Sequence, residues 1–177
     1  MARLKTVPGA LPPTLPPISA ALPIQLLRAR ESVMAWFRPH LREHGLTDHQ
    51  WRVLRALEEA DNLEMQELSV ACEVVPPSLS RIMPKLVEQG LVQREYDPGD
   101  QRRILASLTP SGRQLVNQIS QGSAAIYMTL LQAAGEERLS KLQTALAELI
   151  AVLDAAREAG TAREPPSSPR ATNRVSA

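Results

Sequence analysis

The residues from Pro77 to Gly112 constrain the fold more than any other stretch of the chain. They begin with apolar residues at helical spacing, and this pattern stops at Gly90, a residue type that commonly ends helices. Two short β-rich segments follow, 91–96 and 103–108, and turn-forming residues including Pro and Gly separate them. A helix followed directly by a charged β-hairpin is the outline of a winged helix-turn-helix.

The segments before this stretch predict three more helices. Residues 22–44 carry apolar side chains at helical spacing, and Pro39 is expected to kink this helix or to loosen its last turn. The next helix begins with a capping box formed by Thr47 and Gln50. A third helix over 64–73, a short turn and the helix that begins at Pro77 then have the spacing of a helix-turn-helix.

The segments after the hairpin predict two long helices. Thr109 and Pro110 are a typical N-cap and first helical residue, and Gly135 separates this helix from one over 136–158. Both ends of the chain are rich in proline and small or polar residues. The predicted fold is mainly α with a small β-hairpin, in one domain over 22–158. Its predicted parts are a flexible arm (1–21), N- and C-terminal dimerisation helices (22–44 and 113–158), a winged helix-turn-helix (46–112, with the helix-turn-helix at 65–89) and a disordered tail (159–177).

Bulk composition leaves the function open and excludes some classes of protein. The net charge of the 177 residues is +1, so charge alone does not predict a nucleic-acid partner. Cys72 is the only cysteine; it excludes an intrachain disulfide, and we expect it to be a buried structural residue. Neither a signal peptide nor a long apolar run is visible, which predicts a cytoplasmic protein without a membrane partner. No phosphate loop or paired nucleophile and base indicates an enzyme, a cofactor or catalytic residues.

The helix over 77–89 offers a polar face suited to DNA. In a helix-turn-helix the amino-terminal half of the second helix enters the major groove, where arginine and serine contact bases and phosphates. The candidates on this helix are Ser78, Ser80, Arg81 and Lys85. Pro84 is unusual inside a helix, because it removes the amide that would bond to Ser80, and a local bend is expected there. The alternative is an amphipathic helix with a solvated polar side.

The hairpin turn adds a second DNA-binding candidate formed by Asp100, Arg102 and Arg103. An arginine near the tip of a wing can enter the narrow minor groove, where the negative potential is high. An aspartate two residues earlier can hold that arginine in one orientation through a charge-assisted hydrogen bond. The alternative is an exposed turn with incidental charges.

These motifs give the chain a specific resemblance. The run from Asp100 to Gly112 resembles the D-x-R…L-T-x-x-G signature of MarR-family transcriptional regulators, and the likeness covers roughly residues 22 to 157. Segments around 26–31, 37–39 and 46–52 are similar to the branch of homoprotocatechuate-degradation operon regulators, which includes nicotinate-degradation repressors that respond to 6-hydroxynicotinate. Pro84 departs from the family pattern. The resemblance implies a homodimer that binds double-stranded DNA at a palindromic operator, with a ligand pocket between the dimerisation helices and the winged domain.

A small aromatic acid is the effector that the resemblance and the nearby residues suggest. Such a ligand needs a cation for its carboxylate, polar groups for its hydroxyl and apolar walls for its ring. The first two helices offer aromatic residues together with candidate ligand-binding residues, namely Arg30, Arg38, His44, His49 and Arg52. The alternative is that these side chains are solvated or form interhelical salt bridges.

Two other functions stay open from the sequence. His40 and His44 stand one helical turn apart and could share a metal with His49, Glu43 or Asp48, which would make the protein a metal-responsive regulator. A winged helix can also serve as a protein-interaction module. The lead prediction is a homodimeric, non-enzymatic repressor of an aromatic-compound catabolic operon, released from DNA by a hydroxylated aromatic acid.

Overall fold

The computed structural model describes residues 17–159. The predicted arm up to residue 16 and the predicted tail from residue 160 lie outside the described residues. A short 3-10 helix at Ile18–Ala20 precedes the remaining elements. These are α1 (Leu22–Glu43), α2 (Asp48–Glu59), β1 (Leu63–Glu64), α3 (Met65–Ala71), α4 (Pro76–Glu88), β2 (Val92–Tyr96), β3 (Ile104–Leu108), α5 (Pro110–Ala134) and α6 (Glu136–Glu158).

The chain divides into two compact units, and the boundary lies within α5, after Leu130. In the first unit, apolar residues from α1 to α5 and from the strands form one core. Burial of these side chains is the main stabilising term, because each removes apolar surface from water. The largest fully buried side chains of this core include Leu41, Leu54, Leu57, Leu68, Leu79, Met83, Leu86 and Ile119.

The predicted capping box at the start of α2 is confirmed. The Oγ1 of Thr47 accepts a hydrogen bond from the backbone amide of Gln50 at 3.3 Å, and the Oε1 of Gln50 accepts one from the amide of Thr47 at 2.9 Å. Two amides that a helix start leaves unpaired are therefore satisfied locally. Leu46, directly before the cap, is buried in the core.

The predicted hairpin is present and belongs to a three-stranded antiparallel sheet in the order β1-β3-β2. Val92 pairs with Leu108 and Tyr96 pairs with Ile104, so the two longer strands are in register over their full length. The remaining strand, β1, pairs with β3, with Leu63 opposite Ala106. This short strand was not predicted from the sequence. It has two residues, which is too short for an alternating pattern to show.

Both internal prolines lie within continuous helices. The helix α1 continues past Pro39 to Glu43, and α4 continues past Pro84 to Glu88. Pro84 lacks an N–H group, so the carbonyl of Ser80 has no helical amide donor at that position. The helix α4 ends before Gly90, whose φ of 66° is the left-handed conformation predicted for the helix end.

The start of α5 is fixed against the start of the hairpin. The Thr109 hydroxyl donates to the carbonyl of Gly90 at 2.6 Å and accepts from the amide of Gly112 at 3.0 Å. A Cβ atom on Gly112 would lie 2.1 Å from the carbonyl oxygen of Leu91, so this close approach requires glycine. The predicted N-cap thus also joins α5 to the end of α4.

The helix α6 belongs to the second unit, and none of its residues is buried. Its exposed large apolar side chains are Leu142, Ile150, Val152 and Leu153. Among residues 17–159, no helix is both long and apolar enough to cross a membrane.

Candidate nucleic-acid interface and ligand cavity

The turn between α3 and α4 sets the direction of α4. The hydroxyl of Ser69 donates to the carbonyl of Val74 at 2.7 Å, and the amide of Val74 donates to the carbonyl of Ser69 at 3.1 Å. Between them, Glu73 adopts a φ of 50°, which turns the chain sharply. These local bonds join the two helices as a helix-turn-helix.

The helix α4 buries one face and exposes the predicted DNA-binding residues on the other. Leu79, Met83 and Leu86 are almost completely buried in the core. Ser80, Arg81 and Lys85 are exposed, and Ser78 is half-buried. Ser78, Arg81 and Lys85 also line an open groove of about 380 Å³ together with the first residues of α2. The structure therefore brings Ser78, Arg81 and Lys85 together at one groove, and Ser80 is exposed on the same helix.

The predicted contact between Asp100 and Arg102 is present in the wing. One carboxylate oxygen of Asp100 accepts from the backbone amide of Arg102 at 3.0 Å and from its Nε at 3.2 Å. The Arg102 side chain is 92% exposed, so its guanidinium is available to a partner. The contact engages one nitrogen of the guanidinium and leaves most of the side chain in solvent.

Arg103 stands next to Arg102 but has different neighbours. Its Nε donates to Glu64, and its Nη1 lies 3.7 Å from the carboxylate of Asp97. The amide of Asp97 also donates to the carbonyl of Arg103 at 2.9 Å, which closes the hairpin turn. Arg103 therefore joins the base of the wing to β1, a role that the sequence did not predict.

Three of the five predicted ligand-binding residues meet around Asp48, in an ion-pair network between α1 and α2. Arg30 Nη2 lies 3.1 Å from the Asp48 carboxylate, Arg38 Nη2 lies 3.5 Å from it, and His49 Nδ1 lies 3.6 Å from it. Glu31 completes the network through Arg30 at 2.7 Å and Arg38 at 2.6 Å. Both arginines thus have carboxylate partners within the chain.

The network shifts the acid–base properties of its carboxylates. Partial burial alone would raise the pKa of Asp48, but the hydrogen bond from Arg30 and the charges of His49 and Arg38 outweigh burial and lower that pKa. The hydrogen bond from Arg38 likewise lowers the pKa of Glu31. Both carboxylates are therefore ionised at neutral pH, which keeps the network intact.

The other two predicted ligand-binding residues lie elsewhere. The His44 ring contacts the His40 ring edge-on, with 5.0 Å between centroids. Arg52 Nη1 donates to the carbonyl of Glu73 at 3.0 Å, and this arginine lies beside Cys72. The five residues are thus not brought into one site. Cys72 is buried as predicted. Burial raises the pKa of its thiol, and the nearby charge of Arg52 partly opposes that shift.

A different set of residues forms a cavity of about 480 Å³ between α1, α2 and α5. Phe37, Trp51, Arg55, Ser120, Ser123, Ala124 and Tyr127 line it. Trp51 and Arg55 are one turn apart on α2, a spacing that places both on one helix face. Arg55 pairs with Glu58 and, at 2.9 Å, with Glu59. This combination of aromatic walls, hydroxyl groups and a cation is the one expected for an aromatic acid.

The sequence analysis missed Arg55 and the serines of α5 as candidates, although the position of Arg55 one turn after Trp51 was a usable signal.

The histidines that suggested a metal site have other contacts: His40 Nε2 donates to the carbonyl of Ile119 at 3.1 Å. Within the described part of the chain, no three His, Cys, Asp or Glu side chains are grouped so that they could hold a metal ion.

Known proteins resemble this chain over most of the described residues. The model of the MarR family matches residues 44–103. The HTH-type transcriptional regulator FarR of Neisseria gonorrhoeae is 37% identical over 136 residues, which are 77% of this chain and 93% of FarR. The homoprotocatechuate degradative operon repressor of Escherichia coli is 34% identical over 132 residues, which are 75% of this chain and 89% of the repressor.

A solved structure with a bound ligand is similar in fold and sequence. The crystal structure of NadR in complex with 4-hydroxyphenylacetate has a TM-score of 0.69 and 35% sequence identity, and the match covers 76% of this chain and 98% of that one. The fold is therefore mainly helical with a small antiparallel sheet, as in the winged-helix regulators it resembles.

Proposed function

The chain belongs to the MarR family of transcriptional regulators, and we propose that it is a homodimeric repressor that binds a palindromic operator and is released by an aromatic acid. The observation that carries the proposal is the pairing of two exposed basic features in one winged helix-turn-helix. One is the polar face of α4, and the other is Arg102, which Asp100 orients at the wing. The family consists of regulators and not of enzymes, so no catalytic step is involved.

The helix α4 supplies the contacts to the major groove. Its exposed Arg81 can pair with the O6 and N7 of a guanine, and Lys85 one turn later can contact a phosphate. Ser78 and Ser80 stand in the first two turns, the part of a recognition helix that approaches base edges. These four residues give α4 both base-reading and phosphate-binding groups.

The wing supplies the contact to the minor groove through Arg102. A guanidinium is attracted to the narrow minor groove by its negative potential, and an arginine already oriented by Asp100 loses less conformational freedom on binding. Arg103 has Glu64 and Asp97 as partners, so we assign it mainly to positioning the wing. Asp100 is likewise a positioning residue, because it orients the side chain of Arg102.

A second copy of the chain covers the apolar surface that the first leaves exposed. On α1 the exposed apolar side chains include Leu22, Leu27 and Trp36, and on α6 they include Ile150 and Leu153. Surfaces of this kind are typical of interfaces. A two-fold dimer presents two copies of α4, which accounts for a palindromic operator with half-sites about one DNA turn apart.

The effector is an aromatic acid that occupies the cavity of α1, α2 and α5. NadR, a relative at 35% identity, is known with 4-hydroxyphenylacetate bound, and another relative represses the homoprotocatechuate operon. Phe37, Trp51 and Tyr127 offer faces for an aromatic ring, and Arg55 offers a cation for its carboxylate. Arg30 and Arg38 were predicted for that carboxylate, but neither lines the cavity, whereas Arg55 does.

Release of DNA follows from unequal binding of the effector to two arrangements of the dimer. An effector shifts an equilibrium only by its difference in affinity for the two states. We propose that the effector binds more tightly to the arrangement of the dimer in which the two α4 helices do not fit successive major grooves of B-DNA.

Fluorescence anisotropy on labelled duplexes from the DNA upstream of the coding sequence tests the DNA-binding part. Replacing Arg102 with Ala is expected to weaken binding about tenfold to a hundredfold, the range for losing one well-placed arginine contact. The matched controls are Arg102→Lys, which keeps the charge without the planar fork, and Gln101→Ala, which alters the adjacent exposed residue. We expect Arg102→Lys to fall between the parent and Arg102→Ala, and Gln101→Ala to bind like the parent. Unchanged affinity of Arg102→Ala would favour the winged fold as a protein-interaction module.

A further inference from the structure

The amino end of α4 is exposed and apolar. Val75 is the N-cap residue of this helix, and it is 64% exposed. Pro76 and Pro77 occupy the first two helical positions and are also exposed. Single exposed apolar residues are common in folded proteins, but three in succession at the start of a DNA-binding helix need a physical reason.

The start of α4 lacks the usual polar cap. Ser, Thr, Asp and Asn are preferred at an N-cap because their side-chain oxygen accepts a backbone amide of the first turn, and Val75 has no such oxygen. Pro76 and Pro77 have no N–H group, and the amides of Ser78 and Leu79 donate to the carbonyl of Val75 at 2.9 and 3.0 Å. Positions 76–79 therefore offer no free backbone amide to a phosphate or to a base. What this end of α4 presents is apolar side chains.

This apolar end adjoins the DNA-binding face of α4. Ser78, three residues after Val75, lines the open groove together with Arg81 and Lys85. In a helix-turn-helix the amino-terminal residues of the second helix reach the base edges of the major groove. The basic groups that follow Val75 match the phosphates of DNA, which favours DNA over an apolar protein surface as the partner of this end.

The major groove holds one apolar group that such an end can contact. Guanine, adenine and cytosine present hydrogen-bond donors and acceptors there, whereas thymine adds a C5-methyl group. We propose that Val75, flanked by the rings of Pro76 and Pro77, contacts this methyl group and makes the chain select thymine at one position of each operator half-site. The inference rests on the proposed function, because it assumes that α4 lies in the major groove. It adds an apolar specificity residue to the polar residues already assigned to α4.

Fluorescence anisotropy of the full-length chain on duplexes that contain thymine or deoxyuridine tests the inference. Each thymine of an upstream duplex that the parent binds is replaced in turn, together with its symmetry mate, by deoxyuridine, which lacks only the C5-methyl group. Losing one buried methyl contact weakens binding about fourfold, so replacing the pair at the contacted position is expected to weaken binding by the parent about tenfold or more. In Val75→Ala the same replacement is expected to change the affinity less than about twofold.

Two further variants separate loss of the contact from loss of folding. Val75→Ser supplies the missing N-cap oxygen, so the start of α4 is retained, and this variant is also expected to lose the preference for thymine. Val87→Ala shortens another exposed valine of α4, near the carboxyl end of the helix, and is expected to keep the preference of the parent.

The outcomes distinguish this inference from the proposed function. If the parent binds the thymine duplex and no deoxyuridine replacement weakens that binding, the methyl contact is overturned and the proposed DNA binding stands. An equal loss of affinity in the parent and in Val75→Ala overturns the assignment to Val75. Failure of the parent to bind any upstream duplex overturns the proposed function, and the inference with it.

Discussion

A methyl group added at Gly122 is expected to destabilise the parent chain and to stabilise a chain that lacks the His40 ring. Gly122 lies in the middle of α5, and a Cβ atom there would lie 2.4 Å from Cε1 and 2.5 Å from Nε2 of His40. The ring must move, and its hydrogen bond to the carbonyl of Ile119 at 3.1 Å is lost. Glycine is tolerated in the helix because this α1–α5 contact needs the space.

The effect of Gly122→Ala on the free energy of unfolding is expected to have opposite signs in the parent and in the His40→Ala variant. Loss of the hydrogen bond costs about 1 kcal/mol and disturbed packing about 1 kcal/mol more. Replacing glycine with alanine inside a helix stabilises the folded state by about 1 kcal/mol. Gly122→Ala should therefore destabilise the parent by about 1 kcal/mol, and stabilise His40→Ala by about 1 kcal/mol, where neither loss applies.

Urea denaturation of the four chains at one protein concentration measures this double-mutant cycle, because a dimer's stability depends on concentration. The predicted coupling energy between the two positions is about 2 kcal/mol. If Gly122→Ala changes the free energy of unfolding equally in both backgrounds, His40 does not occupy the space beside Gly122, and the reasoning is refuted.

Three more changes follow from the structure. The lowered pKa of Asp48 means that its contribution to stability is present above about pH 4 and lost as pH falls through the folded-state pKa. Asp48→Asn should therefore lower the free energy of unfolding by about 1 kcal/mol at pH 7 and by progressively less as pH falls below about 4, as urea denaturation over this pH range would show; an effect independent of pH would contradict the network's role. Glu59→Gln should raise the affinity for an aromatic acid severalfold in calorimetry, because Glu59 competes for Arg55; unchanged affinity would count against a carboxylate at Arg55. Gly112→Ala should destabilise by about 3 kcal/mol, because the backbone carbonyl of Leu91 cannot give way as a side chain can, and a thermal midpoint equal to the parent's would contradict it.

The parts of the fold that depend on residues close together in the sequence were predictable. The cap at Thr47 and Gln50, the helix end at Gly90 and the helix start at Thr109 each depend on residues within a few positions of one another. The Asp100–Arg102 contact spans two residues and belongs to the same class. Helix caps and turns are decided by such short-range hydrogen bonds, so a single sequence is enough to place them.

The parts that depend on distant residues were not predictable. The Arg103–Glu64 ion pair joins residues 39 positions apart, and without it Arg103 resembles a second DNA-binding arginine. Likewise Arg30 and Arg38 were candidates for a ligand carboxylate, with interhelical salt bridges as the alternative, and only the fold shows that Asp48 lies beside both. The cavity combines residues from α1, α2 and α5, which are far apart in the chain. Apart from the one-turn spacing of Trp51 and Arg55 on α2, none of these relations has a spacing that a sequence pattern could show.

Linked binding of DNA and effector tests the central claim most directly. The affinity of the full-length chain for 3,4-dihydroxyphenylacetate is measured by calorimetry with and without a saturating operator duplex, and the affinity for the duplex is measured with and without the acid. Because coupling between two binding sites is reciprocal, the account predicts that each ligand weakens the other by the same factor, about fivefold or more. Equal affinity for the acid with and without the operator would contradict the account, since an effector that binds both states equally releases no DNA.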